Sequence, residues 1–136
     1  MIGILIVSHG KLAEGFQDAI ELIIGKQENL STISLEVEDS IDNLPDRIEE
    51  KIKSFEMNDG VIIFVDLFGA SPFNGAARVA HNLKSSSISV IAGVNLGMVL
   101  EVIVNRESKN IEELSSIAIS AGNQAIKSLN EMMRRN

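Results

Sequence analysis

Along the chain the spacing of apolar residues switches repeatedly between two periods, and the switches lay out the elements. Residues 2–7 are continuously apolar, the mark of a strand covered on both faces. Leu12, Phe16, Ala19, Ile20, Ile23 and Ile24 then fall on one helical stripe, and Gly25 supplies a C-terminal stop. Over 31–37, Ile33, Leu35 and Val37 alternate with Thr32, Ser34 and Glu36, so the second strand is half-buried and belongs toward an edge. Leu44, Ile48, Ile52 and Phe55 return to helical spacing, with Pro45 tolerated in the first turn. A third strand, 61–65, is again wholly apolar. Ser71-Pro72 reads as an N-cap followed by proline at the first helical position. Behind it, Phe73, Ala76, Ala77, Ala80 and Leu83 form a narrow, mostly small-residue face. A fourth strand spans 87–94 and ends at Asn95.

Residues 96–104 are apolar nearly all round and short for a helix, a segment that needs cover on more than one side. A last helical pattern runs through Ile111, Leu114, Ala118, Ala121 and Ala125, and a polar tail closes the chain. Four alternations of strand and helix joined by right-handed crossovers predict an α/β fold. The expectation is a doubly wound, mainly parallel four-stranded sheet with helices on both faces. No repeat, linker or low-complexity segment divides 1–136, so one domain is expected.

The net charge of -7 argues against nucleic acid or an anionic membrane surface as partner, since both reward clustered Lys and Arg. The basic residues are scattered apart from Arg134-Arg135. Cysteine is absent, which removes disulfides and thiolate metal sites and fits a reducing cytosol. The first apolar run has no basic residues ahead of it and falls far short of the roughly 20 that span a bilayer. A cytoplasmic protein is expected.

The first strand ends in Ser8-His9-Gly10 and the third ends at Asp66, so an imidazole and a carboxylate stand at the edge where open α/β sheets place ligand chemistry. His9 could be a loop histidine bonded locally. Its small neighbours and the helix amides behind it instead suit a neutral nucleophile that receives a phosphoryl group, with Gly10 lining the same place. Asp66 could merely cap a turn. If its strand adjoins the first, it bonds one ring nitrogen of His9, fixes the tautomer and leaves the other nitrogen free to attack. The Ser71 hydroxyl can cap its helix and also bond an incoming phosphate. His81, late in its helix, reads as surface, and Asn95 as either an edge residue of the site or a turn residue. The glycines at 10, 69, 75, 93 and 97 form no P-loop and no ordered G-x-G-x-x-G. No histidines or carboxylates have metal spacing. Neither a cofactor nor a metal is expected.

Three blocks carry a resemblance. Val7-Ser8-His9-Gly10 with Ala13-Glu14-Gly15, Val65-Asp66-Leu67-Phe68-Gly69-Ala70-Ser71-Pro72-Phe73-Asn74, and Val90-Ile91-Ala92-Gly93-Val94-Asn95-Leu96 resemble, in order and spacing, the enzyme IIA domain of the mannose-family sugar phosphotransferase system. The likeness covers nearly the whole chain. It implies a bacterial cytoplasmic phosphocarrier that takes a phosphoryl group from the phosphohistidine of HPr and passes it to a IIB protein or domain. That partner phosphorylates a sugar entering through the IIC and IID membrane components. The resemblance places the acceptor on His9, with Asp66 orienting it and Ser71 beside the phosphoryl site. It also implies a homodimer with exchanged C-terminal segments, which would suit the apolar stretch after Asn95. Leu67-Phe68 stand where several relatives have polar residues or tryptophan, so the rim that meets HPr or IIB differs here. The chain stops at Asn136 without an Ala/Pro-rich linker, so a stand-alone subunit is expected.

Three rival readings fit less well. The phosphocarrier of dihydroxyacetone kinases shares a strand ending in Ser-His, but its motifs read Ser-His-Ser and Asp-Met-Gly-Ser. A receiver-like module phosphorylated on Asp66 would want an acidic pair after the first strand to hold Mg²⁺, which Ser8-His9 does not supply. A non-catalytic regulator binding a small anion at the Ser71 helix start would leave His9 without a job.

Overall fold

Strand β1 (Gly3–His9) is the first apolar run, and everything from Gly3 to Ser8 is buried while His9 emerges. It is central because a strand apolar on both faces must be covered on both. The computed structural model describes residues 1–55, 59–83 and 87–134. Around β1 lie β2 (Leu30–Leu35), β3 (Val61–Val65) and β4 (Ile88–Ala92), in the order β2-β1-β3-β4 and parallel throughout. The half-buried β2 takes an edge, as its alternation requires.

Helices α1 (Leu12–Ile24), α4 (Leu96–Asn105) and α5 (Ile111–Gln124) cover one face, where Ile4, Ile6, Ile62 and Phe64 point. Helices α2 (Leu44–Lys53) and α3 (Ser71–Asn82) cover the other, against Leu5, Val7, Ile63 and Val65. The period of two along each strand divides the core into these halves. Each of these fully buried side chains contributes about 1.5–3 kcal/mol.

Several local expectations are corrected. The N-cap of α3 is Ala70, in extended backbone (φ -86°, ψ 177°), so Ser71 is the first helical residue rather than the cap. The stripe that α3 buries runs through Pro72, Gly75, Ala76 and Val79, one step aside from the expected face. On α1, Leu12 and Ile23 are exposed, and the core contact is made by Ala13, Phe16, Ile20 and Ile24. Helix α2 ends at Lys53; Phe55 lies beyond it, over Gly3, where a Cβ would meet the ring at 2.8 Å.

Residues 96–105 do form a helix, and its cover comes from within this chain. Met98, Val99, Val102 and Ile103 are buried in one cluster with residues of α5, α1 and the sheet. Asn95 is its N-cap: Oδ1 accepts the Met98 N–H at 2.9 Å, while Nδ2 donates to the Gly122 carbonyl at 3.0 Å. Glycine at 122 lets α5 approach, since a Cβ there would stand 2.5 Å from the Met98 methyl. A capping box of Asn110 and Glu113 starts α5. The polar tail holds a short helix, α6 (Leu129–Arg134), and Arg135 of the terminal basic pair lies outside the described residues. At the amino-end pole, the buried Arg106 guanidinium donates from Nη1 to the carbonyls of Ile2 and Asn29 (3.2 Å each) and from Nη2 to that of Glu28 (2.6 Å). Among the described residues no helix is long and apolar enough to cross a membrane.

Candidate functional site

From β1 the chain moves to β2 on one side, while β3 and β4 extend the sheet on the other, so the topological switch point lies between β1 and β3. The crevice at the carboxyl ends there is where this architecture binds its ligands. His9 closes β1 and Asp66 follows β3.

The ladder between these strands ends at the Val7–Val65 pair. One step further, the Asp66 side chain replaces the missing backbone acceptor. Its Oδ2 accepts the His9 backbone N–H at 2.9 Å and lies 2.8 Å from His9 Nδ1. Its Oδ1 accepts the Leu67 N–H at 2.9 Å. The bland reading of Asp66 as a turn cap and the sharp one as a histidine partner are therefore both true of one carboxylate. An ionised carboxylate only accepts, so Nδ1 carries the proton and Nε2 presents its lone pair. The imidazole is 46% exposed and the carboxylate 10%, so a group can approach Nε2 but not the side of the ring held by Asp66. Burial pushes the Asp66 pKa up; the His9 backbone N–H, the bond to the His9 ring, the attraction of its positive form and the Leu67 N–H outweigh this and hold the carboxyl below its ordinary value.

Gly10 adopts φ +54°, the left-handed conformation that turns the chain away from the sheet, and its N–H donates to the Leu35 carbonyl at 2.8 Å. Ser71 is half-buried and opens α3 directly after the loop 66–70. Next to it Pro72 lacks an N–H, and the Asn74 N–H is taken by the Ala70 carbonyl, so Ser71 and Phe73 supply the available first-turn amides. Beside His9 opens a groove of about 720 Å³ lined by His9, Gly10 and the segment from Leu35 to Asp39 with Ile41. Exposed apolar side chains rim the area: Leu12, Val37 and Ile41 on one side, Leu67 and Phe68 on the other. His81 is exposed in the last turn of α3, and Asn95 is committed to capping α4. Among the described residues no three His, Cys, Asp or Glu side chains gather so as to hold a metal.

Sequence reasoning missed three supports of the site. The buried Ser8 hydroxyl accepts the Ala13 N–H at 2.7 Å. Asn74 Nδ2 donates to the Gly69 carbonyl at 3.1 Å, and the rings of Phe68 and Phe73 lie 4.6 Å apart, so the 66–70 loop is clamped to α3 twice. Asp39 Oδ2 accepts the Glu36 N–H at 2.7 Å and an Arg47 N–H at 3.5 Å, shaping the far wall of the groove. The one available signal was that α1 begins with Lys11 and Leu12, which cannot cap it, leaving Ser8 as the nearest hydroxyl.

The family model for the PTS system fructose IIA component, EIIA-man, matches residues 3–119. A sorbose-specific EIIA component of the phosphotransferase system from Lacticaseibacillus casei is 32% identical over 133 residues, covering 98% of this chain and 94% of its own. The mannose-specific EIIAB component of Escherichia coli K12 is 31% identical over 129 residues; the match covers 94% of this chain but only 39% of that longer protein. The crystal structure of the phosphotransferase system component EIIA from Streptococcus agalactiae superposes with a TM-score of 0.87 at 25% identity, over 96% of this chain and 99% of the other. With the match running from β1 into α5, this chain belongs to the mannose-type IIA family of the phosphotransferase system.

Proposed function

We propose that the chain, read as one domain, is a phosphocarrier in which His9 accepts a phosphoryl group from the phosphohistidine of HPr and hands it to a IIB partner. The observation that carries this reading is the 2.8 Å contact of His9 Nδ1 with Asp66 at the switch point. It leaves Nε2 as the nucleophile. In the forward step the Nε2 lone pair attacks phosphorus, an N–P bond forms on His9, and the N–P bond to the donor imidazole breaks. No proton leaves Nε2, because it held none; the positive charge that develops on the ring is met by the Asp66 carboxylate through Nδ1–H. Transfer to IIB reverses the same changes.

The amides of Ser71 and Phe73 and the Ser71 hydroxyl would receive the phosphoryl oxygens at the start of α3. Gly10 would contribute room rather than a hydrogen bond, since its N–H already serves Leu35. Asp66 is a poor acceptor of the group itself: its oxygens take three N–H donors and it is mostly covered. This argues against a receiver-like mechanism. The sugar is met only downstream, by IIB with the IIC and IID components.

Incubating the chain with enzyme I, HPr and labelled phosphoenolpyruvate, then adding a mannose-family IIB, tests the proposal. Label should reach the chain only when HPr is present and should move on to IIB. Labelling without HPr, or none at all, would contradict it. We also read the protein as cytoplasmic and homodimeric. The exposed apolar residues Ile126, Leu129, Met132 and Met133 around α6 support a second copy as their cover. Sedimentation should show a dimer that truncation after Ala125 converts to monomer, and a monomeric full chain would refute it.

A further inference from the structure

Helix α1 lacks a cap of its own. Its N-cap position is Lys11, at φ -90° and ψ 16°, whereas a side chain that caps its own helix needs extended backbone there. The cap comes instead from across the turn. Ser8 is wholly buried at the end of β1, and its Oγ accepts the N–H of Ala13, in the first turn of α1, at 2.7 Å. The same hydroxyl faces the Gly10 carbonyl at 3.5 Å, a distance at which it adds little. His9 lies inside the loop this bond closes.

The residues on either side of the ring are therefore fixed by different partners. Asp66 holds the His9 backbone N–H and Nδ1, Leu35 holds the Gly10 N–H, and Ser8 holds the helix that follows. Without Ser8 the first turn of α1 would be held only by the packing of Ala13 and its helix on the sheet and by the 3.4 Å bond from the Ser34 hydroxyl to Glu14. The His9 ring is nearly half exposed, so packing alone does not hold it in place. Group transfer between two proteins tolerates little misplacement: about 1 Å at the reacting atom costs up to a hundredfold in rate.

We propose that Ser8 is a positioning residue for phosphoryl transfer: by tying β1 to the first turn of α1, its buried hydroxyl sets where the His9 imidazole stands against Asp66. This rests on reading His9 as the phosphoryl acceptor. Ser8 touches neither the phosphoryl group nor the partner, so its loss should lower kcat and leave the KM for phospho-HPr unchanged.

The test compares wild type, Ser8→Ala and Ser8→Thr, using single-turnover transfer from phospho-HPr and ¹⁵N spectra of the histidine rings. Ser8→Ala removes one oxygen, and its amide spectrum reports whether the fold is kept. Expected for Ser8→Ala is a kcat lower by about ten- to a hundredfold at unchanged KM. Its His9 ring shifts should move from a single Nδ1–H tautomer toward a mixture, and Ser8→Thr, which keeps the hydroxyl, should restore both. A folded Ser8→Ala with wild-type kcat and an unchanged His9 ring spectrum would overturn the proposal and leave Ser8 as a helix cap only. If wild type itself takes no label from HPr, the phosphocarrier reading falls. The ring spectra of wild type and Ser8→Ala still decide whether Ser8 positions His9.

Discussion

Replacing Asp66 by asparagine keeps the shape of the side chain and removes what the structure uses it for. The carboxylate accepts three N–H donors: two from His9 on Oδ2, at 2.9 and 2.8 Å, and one from Leu67 on Oδ1. An amide offers one accepting and one donating end. If its oxygen faces His9, its NH₂ collides with the Leu67 N–H. In the opposite orientation it collides with the His9 backbone N–H and donates to Nδ1, which forces the proton onto Nε2 and blocks the nucleophile. Either way at least one charge-assisted hydrogen bond is lost, worth about 1.5–3 kcal/mol. The negative charge that meets the ring's developing positive charge is lost with it. Converted at about 1.4 kcal/mol per tenfold, transfer should slow by roughly ten- to a hundredfold. Rapid-quench transfer from labelled phospho-HPr measures this directly, with circular dichroism confirming that the variant is folded. A folded Asp66→Asn that accepts phosphate at the wild-type rate would refute the assignment.

Other outcomes follow from the same structure. The Asp66 carboxyl has a lower pKa folded than unfolded, so its stabilisation is complete above the ordinary value of 3.8 and fades as pH falls through the folded one. Urea melts should therefore show the wild-type advantage over Asp66→Ala shrinking as the pH falls below about 4, and an advantage that grows there would contradict the assignment. His81→Ala should transfer normally, because His81 is exposed in the last turn of α3; loss of transfer with the fold intact would mean a second site. Arg106→Met removes a charged donor from three carbonyls, of which that of Asn29 keeps the Ile4 N–H, and should cost about 2–4 kcal/mol in chemical denaturation. Gly60→Ala forces φ +116° on a residue with a Cβ, 2.7 Å from the Ser87 carbonyl, and should cost about 1–3 kcal/mol.

The periods that run through whole elements were legible in the sequence, whereas exact cap positions and the pairings made by strand neighbours were not. The unbroken runs of β1 and β3 and the alternation of β2 announce their places in the sheet. Helix α4 was harder, because its residues pack into a cluster shared with α5, α1 and the sheet and so leave little polar face to mark it. Ser71 looked like a cap because serine before proline usually is one, yet the extended residue is Ala70. His9 and Asp66 stood out as strand-end residues, but their pairing depends on β1 adjoining β3, which periodicity cannot supply. Ser8 escaped notice because its cap reaches from a strand across a whole turn, outside the spacing that capping rules describe.

The most direct test of the account is the chemistry of the phosphorylated ring. Wild type and His9→Ala would be phosphorylated through HPr and weighed intact, and ¹⁵N-histidine-labelled wild type examined by long-range proton–nitrogen and phosphorus spectra. One added phosphoryl group is expected, labile to acid and stable to base, bonded to Nε2 of His9 and missing from the variant. Phosphate on Nδ1, or a label that persists in His9→Ala, would contradict it.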